Sequence, residues 1–271
     1  MIRISKIIRI ISAILKNPSL LNLVLTDEVY LRRAEKLKIK KGFPIIDLIE
    51  MFPDFNEQIN YFSSLDGGSL IIDYAILKKI VSNYKNANYF EIGTWRGESV
   101  SNVSEVATHC YTFNLSNEQL RELGMREEYV IQQDLYSKNI KNIIHLKGNS
   151  LKFNFSRFYK KFDVVFIDGD HHYDSVKNDT EVAFKLIKNE KSTILWHDYG
   201  FTPEKIRNEV MCAIFEGTPK KYRSKLYHIS NSLCAIYTQE KYLSSSFDDL
   251  LFPSKNFKVE ISAYGMEEKK L

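Results

Sequence analysis

The feature that most constrains the fold is a regular alternation of helical and strand-forming segments that begins near residue 69. Apolar residues at helical spacing predict helices over 69–84, 98–108, 116–123, 174–188 and 203–216. Short apolar runs predict strands over 88–92, 110–114, 143–147, 162–167 and 192–196. Several strands, such as FDVVFI and STILW, are almost wholly apolar, which is typical of parallel strands covered on both faces. The pattern predicts a doubly wound α/β fold with a mostly parallel sheet.

The ends of the chain differ from this central region. KLYHIS and SLCAIYT stand close together and predict a terminal antiparallel hairpin, which brings the sheet to seven strands. SSLDGGS at 63–69 is the clearest candidate for a boundary between the arm and the main domain. We therefore expect a helical N-terminal arm over 1–62, a main domain over 63–240 and a C-terminal tail over 241–271.

Positive charge is concentrated in the arm. Residues 1–41 carry a net charge of +7, and the remaining chain is net −3. The opening MIRISKIIRIISAILK predicts a basic amphipathic helix that is too short and too charged to span a bilayer. This helix either packs on its own domain or a second protomer, forming a homo-oligomer, or lies on an anionic membrane surface. Little aromatic interleaving in the arm and an acidic body argue against nucleic acid as a partner.

The cysteines bear on the cellular compartment. Cys110, Cys212 and Cys234 are odd in number and lack metal-ligand spacing. They indicate neither a disulfide framework nor a zinc site, so we expect a reducing, cytoplasmic setting.

Polar or ionisable residues follow all five predicted parallel strands. These are Glu91, Asn114, GNS at 148–150, DGDHH at 168–172 and HDYG at 197–200. Ligands of doubly wound folds bind beyond the carboxyl ends of the strands. Asp168 and Asp198 end adjacent predicted strands, so their backbones should lie about 5 Å apart, close enough to share one hard cation with His197 as a third ligand.

The stretch EIGTWRGES follows the first of these strands. Gly93 and Gly97 allow a sharp turn and a close ligand approach, and Ser99 with the free N–H groups of the next helix can hold an anion. An ordinary strand-to-helix turn is the alternative. Trp95 stands where a dinucleotide-binding turn has its middle glycine, which favours a smaller cofactor.

EIGTWRGES resembles motif I of class I S-adenosylmethionine-dependent methyltransferases, in the version seen in catechol-type, metal-dependent O-methyltransferases. FDVVFIDGDHHYDSVKNDTEVAFKLIK and ILWHDYG are similar to a methyltransferase-24-like subgroup with D-G-[DS]-H-x-Y and W-H-D-Y. The resemblance covers residues 88–238 and implies a Rossmann-like fold. It also implies methylation of a small-molecule substrate, a hydroxylated metabolite such as a sugar.

The resemblance implies a cofactor site for S-adenosylmethionine. Its residues would be Glu91, Gly93, Thr94, Trp95, Gly97, Ser99, Asn114, Asn149, Ser150 and Asp168. Asn114 stands where the family usually has an acid that binds both ribose hydroxyls; an amide can accept from one and donate to the other. Asn149 and Ser150 match the stretch beside the adenine, and Ser99 lies near the cofactor carboxylate.

The same comparison suggests catalytic and metal residues. His171 lies three residues after Asp168, where the relatives carry a catalytic lysine, and an imidazole suits a general base. Capping of the next helix is the alternative role for His171 and His172. The relatives bind metal through Asp and then Asp-Asn, whereas this chain has Asp168 and then His197-Asp198. Mg²⁺ or Mn²⁺ is expected there, although imidazole shifts the preference to softer metals or leaves the site without a metal.

Two other functions fit parts of the pattern. DHH at 170–172 and HD at 197–198 are hallmarks of metal-dependent phosphoester hydrolases. A non-catalytic binding module that retains the cofactor fold is the third hypothesis. The helix over 174–188 is expected to be scaffold, with Val176, Thr180, Ala183 and Ile187 inside and Lys177, Asp179, Glu181 and Lys188 outside.

Overall fold

A computed structural model describes residues 4–16, 20–65, 67–246 and 252–265. The helices in these ranges are α1 Ile4–Lys16, α2 Leu20–Lys36, α3 Leu48–Met51, α4 Ile71–Ser82, α5 Glu98–Ser104, α6 Asn117–Glu122, α7 Glu127–Val130, α8 Tyr173–Leu186 and α9 Asn208–Gly217. The strands are β1 Ile45–Ile46, β2 Asn88–Ile92, β3 His109–Asn114, β4 Ile143–Lys147, β5 Val164–Ile167, β6 Thr193–Trp196, β7 Gly200–Thr202, β8 Lys205–Ile206, β9 Leu226–Ile229, β10 Ala235–Tyr237 and β11 Ser244–Ser245.

One large sheet organises the molecule, with the strand order β11-β1-β9-β10-β6-β5-β2-β3-β4. The strands from β6 to β4 in this order are parallel, and β10 is antiparallel to both β6 and β9. The predicted doubly wound α/β fold with its terminal hairpin is confirmed. The strand count is nine rather than seven, because β1 pairs with β9 and β11 pairs with β1. The regions predicted as arm and tail thus each add a two-residue strand at one edge.

The core occupies both faces of this sheet, because successive strand residues point to opposite sides. In β2, Phe90 packs with α8 and α9, whereas Tyr89 packs with α4 and α5 on the other face. All four residues of β5 and of β6 are buried. Helices on both faces explain why these strands carry no alternating polar residues.

The predicted helix over 203–216 begins later than expected. Residues from Gly200 to Ile206 form the antiparallel β7–β8 hairpin, and α9 starts only at Asn208. Pro203 lies in the turn of this hairpin, since its fixed φ suits a tight turn as well as the first turn of a helix. The hairpin places Arg207 next to the end of β6, where its main chain bonds Tyr199.

The helix α2 docks on the domain through charged and aromatic contacts. Arg33 Nε lies 2.6 Å from a carboxylate oxygen of Glu216, and an Arg33 terminal nitrogen donates to the Tyr173 hydroxyl at 2.8 Å. The Tyr30 and Tyr173 rings stack at 5.5 Å. These contacts join the arm to α8 and α9. Among the described residues, no helix has the length and apolar character needed to cross a membrane.

Candidate active site

A cleft of about 710 Å³ opens at the carboxyl ends of β2, β5 and β6. Its walls come mainly from five segments: the turn after β2, the loop after β5, the loop after β6, the chain before α4, and the region around α7. The predicted site residues on its lining are Gly93, Trp95, Gly97, Ser99, Asp168, His171, His197 and Asp198. Most of the residues selected from the strand ends therefore meet in one cavity.

The two glycines of the turn after β2 are required by its geometry. Gly93 has φ +92°, and a Cβ there would lie 2.2 Å from the Asp168 carbonyl oxygen. Gly97 has φ +83°, and a Cβ there would lie 2.4 Å from Ser137 Oγ. Because only glycine combines this backbone with such close neighbours, the turn can lie directly against the loop after β5.

Trp95 forms part of the cleft wall. Its ring stacks on Tyr129 with centroids 4.6 Å apart, and the Arg96 guanidinium lies 4.2 Å from the ring centroid. Gly67 approaches the opposite edge so closely that a Cβ would be 2.8 Å from the indole. The indole is fixed by its neighbours and still faces the cavity.

Glu91 and Thr94 lie beneath the cleft and are absent from its lining. Glu91 is fully buried and accepts hydrogen bonds from the Tyr89 hydroxyl at 2.5 Å and the Thr94 hydroxyl at 2.7 Å. Burial raises the pKa of Glu91 to about 7, although these hydroxyls and Ser99 favour its charged form. The structure gives Glu91 and Thr94 the role of supporting the turn that carries Gly93.

The residues predicted at the nucleoside end also lie off the cleft lining. Asn114 donates through Nδ2 to the Thr94 carbonyl and to Gln133 Oε1, each at 2.8 Å. Both amide protons are therefore used, and only Oδ1 remains to accept from a ribose hydroxyl. Asn149 Oδ1 accepts from the Leu151 main chain at 2.9 Å, and Ser150 hydrogen-bonds Asp179. The donor part of the role predicted for Asn114 therefore has no free proton in this structure, and the acceptor part stays a prediction.

Three carboxylates surround one imidazole at the floor of the cleft. His197 Nδ1 lies 2.9 Å from Asp198 Oδ2 and 3.2 Å from Asp168 Oδ1, while its Nε2 lies 3.0 Å from Asp73 Oδ2. Burial opposes the charged imidazole, but the neighbouring carboxylates outweigh it and raise the pKa of His197 well above its ordinary value. The cluster therefore holds either an imidazolium or a cation that replaces the Nδ1 proton.

The geometry of this cluster fits a metal ion. Donor atoms of Asp168, His197 and Asp198 lie within 4.8 Å of one another. Metal-binding histidines commonly donate their other ring N–H to a carboxylate, and Asp73 stands in that place. The three predicted ligands are brought together, and Asp73 of α4 is the orienting partner of His197.

His171 lies at the edge of the same cluster. Its Nδ1 is 3.3 Å from Asp198 Oδ2, and an Arg207 nitrogen is 3.3 Å from the other Asp198 oxygen. Burial disfavours the Asp198 carboxylate, but His197, His171 and Arg207 hold its pKa well below the ordinary value. His172 points elsewhere: it pairs with Asp170, its side chain is 82% exposed, and it is absent from the lining.

Sequence reasoning missed two buried acids. Asp73 is 2% exposed and bonds His197, the Leu70 main chain and the Leu233 main chain. The sequence pattern was sufficient to place Asp73 in the first turn of α4. It did not indicate the partner, because His197 lies 124 residues away. Asp179 was expected outside and is 2% exposed; burial raises its pKa to about 6. Asp179 hydrogen-bonds Ser150 and Asn178. A helical wheel of α8 does not predict the contact with Ser150, because Ser150 lies outside that helix.

The fold and cleft define a class: a doubly wound α/β domain with a ligand cavity at the carboxyl ends of its parallel strands. A family model described as a methyltransferase domain matches residues 90–199. This match agrees with the predicted methyltransferase domain over that segment, which contains the turn after β2 and Asp168, His197 and Asp198. None of the curated proteins matches the chain.

Solved structures with related folds include several methyltransferases. An O-methyltransferase from Bacillus cereus in complex with SAH is 15% identical in sequence, with a TM-score of 0.43. The match covers 65% of this chain and 84% of that chain. TomG, the O-methyltransferase from Streptomyces achromogenes involved in tomaymycin synthesis, in complex with SAM, is 14% identical, with a TM-score of 0.42 and coverage of 64% and 82%. A putative methyltransferase from Bacillus halodurans C-125 is 15% identical, with a TM-score of 0.36. The match covers 46% of this chain and only half, 50%, of that protein's length.

Proposed function

We propose that this chain is an S-adenosylmethionine-dependent O-methyltransferase that acts on a small hydroxylated metabolite such as a sugar. The supporting observation is that Gly93, Ser99, His171 and the Asp168–His197–Asp198 cluster line one cleft. The cleft lies largely within the segment matched by the methyltransferase family model. Its lining includes Arg126, Glu128 and Gln132, which suit an acceptor with several hydroxyl groups.

The cleft fits the amino-acid end of the cofactor best. Gly67, Gly93 and Gly97 lie on the cleft lining together with Ser69 and Ser99. The main-chain N–H groups at the start of α5 would hold a carboxylate, whereas the Ser99 hydroxyl hydrogen-bonds Glu91 beneath the turn. Asn114 would contribute a single acceptor at the nucleoside end. When bound, S-adenosylmethionine supplies an electrophilic methyl group on a sulfonium.

His171 is the proposed general base. Its Nδ1 faces Asp198, so the neutral ring has Nε2 available to take a proton from an acceptor hydroxyl. The resulting imidazolium lies beside the Asp198 carboxylate, which stabilises it. Correct placement of the hydroxyl by the cleft walls would contribute much of the rate.

We propose that Asp168, His197 and Asp198 hold a divalent cation. Two carboxylates suit Mg²⁺ or Mn²⁺, and the imidazole shifts the preference towards Mn²⁺. Asp73 would keep His197 oriented with Nδ1 towards the cation. A cation there lowers the pKa of a bound hydroxyl and helps to orient it.

Calorimetry with S-adenosylhomocysteine tests the cofactor assignment. We expect a micromolar Kd, weakened about two- to tenfold in Ser99→Ala, which removes the hydroxyl that supports Glu91 beneath the turn after β2. Ser101→Ala is the matched control, since Ser101 is a buried serine of the same helix that does not line the cleft. Absence of binding, together with Mn²⁺-dependent phosphodiester cleavage, would instead support the hydrolase.

Turnover on a panel of hydroxylated compounds tests the base. His171→Ala is expected to lower kcat by about 10²-fold or more while leaving S-adenosylhomocysteine affinity nearly unchanged. His172→Ala removes the adjacent exposed imidazole and should leave kcat unchanged. Equal effects of the two substitutions would refute the assignment of His171.

Mn²⁺ titration of the purified protein tests the cation site separately. Asp168→Asn is expected to weaken Mn²⁺ binding, because an amide oxygen carries no charge. Asp170→Asn alters a nearby carboxylate that pairs with His172 and should not affect Mn²⁺ binding. If the wild type binds no Mn²⁺ at all, the His197 imidazolium occupies the cluster instead.

A further inference from the structure

The helix α1 exposes an apolar face. The side chains of Ile7, Ile8, Ile10, Ile11 and Leu15 are between 45% and 76% exposed. A helix that packs on its own domain buries such a stripe. Among residues 5–16, Ile14 alone is partly buried and the others are exposed, so the expected packing of this helix on its own domain is not observed.

Apolar and polar residues of α1 occupy separate sides of the helix. At about 100° per residue, Ile7, Ile8, Ile11 and Leu15 share one side, and Ser5, Lys6, Arg9, Ser12 and Lys16 share the other. The helix has 13 residues and is therefore about 20 Å long. This length suits a helix that lies flat on a surface.

The charges of α1 identify the kind of surface. The helix carries Lys6, Arg9 and Lys16 and no acidic residue. A second copy of α1 would bring like charges together along the edges of the apolar face. A nucleic acid would pair with the cations but leave the isoleucines in water. An anionic bilayer satisfies both sides of the helix at once.

We propose that α1 binds in the plane of an anionic lipid bilayer, with its isoleucines between the acyl chains and its cations among the headgroups. The arm then holds the catalytic domain at the membrane surface. This inference does not depend on the proposed methyl transfer.

Flotation of the full-length protein with lipid vesicles tests this proposal. Vesicles of phosphatidylcholine alone are compared with vesicles in which about one third is phosphatidylglycerol. We expect binding to the anionic vesicles at about 0.05 M salt, reduced at about 0.5 M salt, and at least tenfold weaker binding to phosphatidylcholine alone. Failure of the wild type to bind anionic vesicles would overturn the proposal.

Matched variants of α1 separate the insertion of its apolar side chains into the bilayer from the attraction of its charges. Ile8→Gln with Ile11→Gln removes two apolar side chains without changing the charge, and should lower vesicle binding at least tenfold. Ser5→Gln with Ser12→Gln introduces the same residue on the polar side and should bind like the wild type. Equal losses in both double variants would refute an oriented helix.

Two further measurements distinguish the remaining outcomes. Thermal unfolding and S-adenosylhomocysteine affinity should be the same in all these variants, because α1 does not pack on the domain; a lower Tm in the isoleucine variant would contradict an unpacked helix. Sedimentation velocity should show the same species for wild type and isoleucine variant. Self-association that disappears in the isoleucine variant would identify a second copy as the partner and overturn the membrane proposal.

Discussion

At the scale of single residues, the carboxyl groups of this protein have different pKa values because their surroundings differ. Asp198 lies beside two imidazoles and Arg207, which keep it ionised. Glu91 and Asp179 are buried with mainly neutral partners, so burial raises their pKa values to about 7 and about 6. The ionised Asp198 therefore lies on the cleft, whereas Glu91 and Asp179, whose pKa values are raised, are absent from its lining.

Glu91→Gln should change how stability depends on pH. The pKa of Glu91 rises from 4.5 to about 7 on folding, so its contribution to stability is fully present below pH 4.5 and is lost as pH rises through 7. Relative to wild type, the Gln variant should therefore gain on the order of 3 kcal/mol between pH 4.5 and 8. Urea unfolding at several pH values measures this, with Glu122→Gln as an exposed control on α6. A difference that does not vary with pH would contradict the raised pKa.

Asn114→Asp restores the acid usual in this family, yet we expect it to be harmful here. Both Nδ2 protons are donated, to the Thr94 carbonyl and Gln133, and a carboxylate would face those two acceptors instead. The free energy of unfolding should fall by about 1–3 kcal/mol. Asn149→Asp keeps an acceptor for the Leu151 main chain and should change stability by less than about 0.5 kcal/mol. Tighter S-adenosylhomocysteine binding by Asn114→Asp, without loss of stability, would show that our account of this residue is wrong.

At the scale of elements, the site depends on contact between the loops that follow β2 and β5. Gly93 meets the main chain of Asp168 and Gly169, and Asp168 N donates to the Ile92 carbonyl at 2.8 Å. The loop after β6 joins the same group because His197 N donates to the Ile167 carbonyl at 2.9 Å and His197 Nδ1 lies 3.2 Å from Asp168 Oδ1. Three loops are thus fixed relative to one another by short contacts between strand ends.

Gly93→Ala tests how tightly these loops are packed. The substitution adds both an unfavourable backbone conformation and a clash with the Asp168 carbonyl, so we expect a loss of about 3 kcal/mol or more. Gly124→Ala has a similar φ of +74° but no neighbouring atom within 4 Å, and should lose only about 1 kcal/mol. Chemical denaturation of the two variants separates the cost of the backbone conformation from the cost of the clash. Equal losses would mean that the loops can move apart freely.

At the scale of the whole molecule, the arm has two parts with different relations to the domain. The helix α1 is exposed along most of its length, whereas Ala34 is fully buried and Arg33 binds Glu216 and Tyr173. Leu37 and Ile39 pack against the core of the same face. The segment after α1 therefore contributes to the stability of the folded domain.

Two deletions compare these parts. Removal of residues 1–16 should leave Tm within about 1 °C of the full chain, because α1 buries little apolar surface. Removal of residues 1–41 should lower Tm by about 5 °C or more, because Ala34, Leu37 and Ile39 lose their burial. Calorimetric melting of both proteins is the measurement. A large effect of the shorter deletion would contradict the exposed position of α1.

Local patterns in the chain were sufficient to predict most of the sheet. The predicted bounds of β2 and β4 agree with the structure, since apolar runs bounded by turns are local signals. Prediction was wrong at the start of α9, where Pro203 fits a hairpin turn as well as a helix. It also missed β1 and β11, which are two residues long and form only because a neighbouring strand is present.

The sequence alone determined that Asp168, His171, His197 and Asp198 would come together, because parallel strands end at the same edge of a sheet. Only the tertiary structure decided which of the other polar residues reach the cleft. Asp73 reaches His197 across 124 residues, and Asn114 donates both amide protons within the protein. The succession of strands and helices along the chain follows from periodic local chemistry, whereas hydrogen-bond partners depend on side chains from distant segments that meet only after the chain has folded.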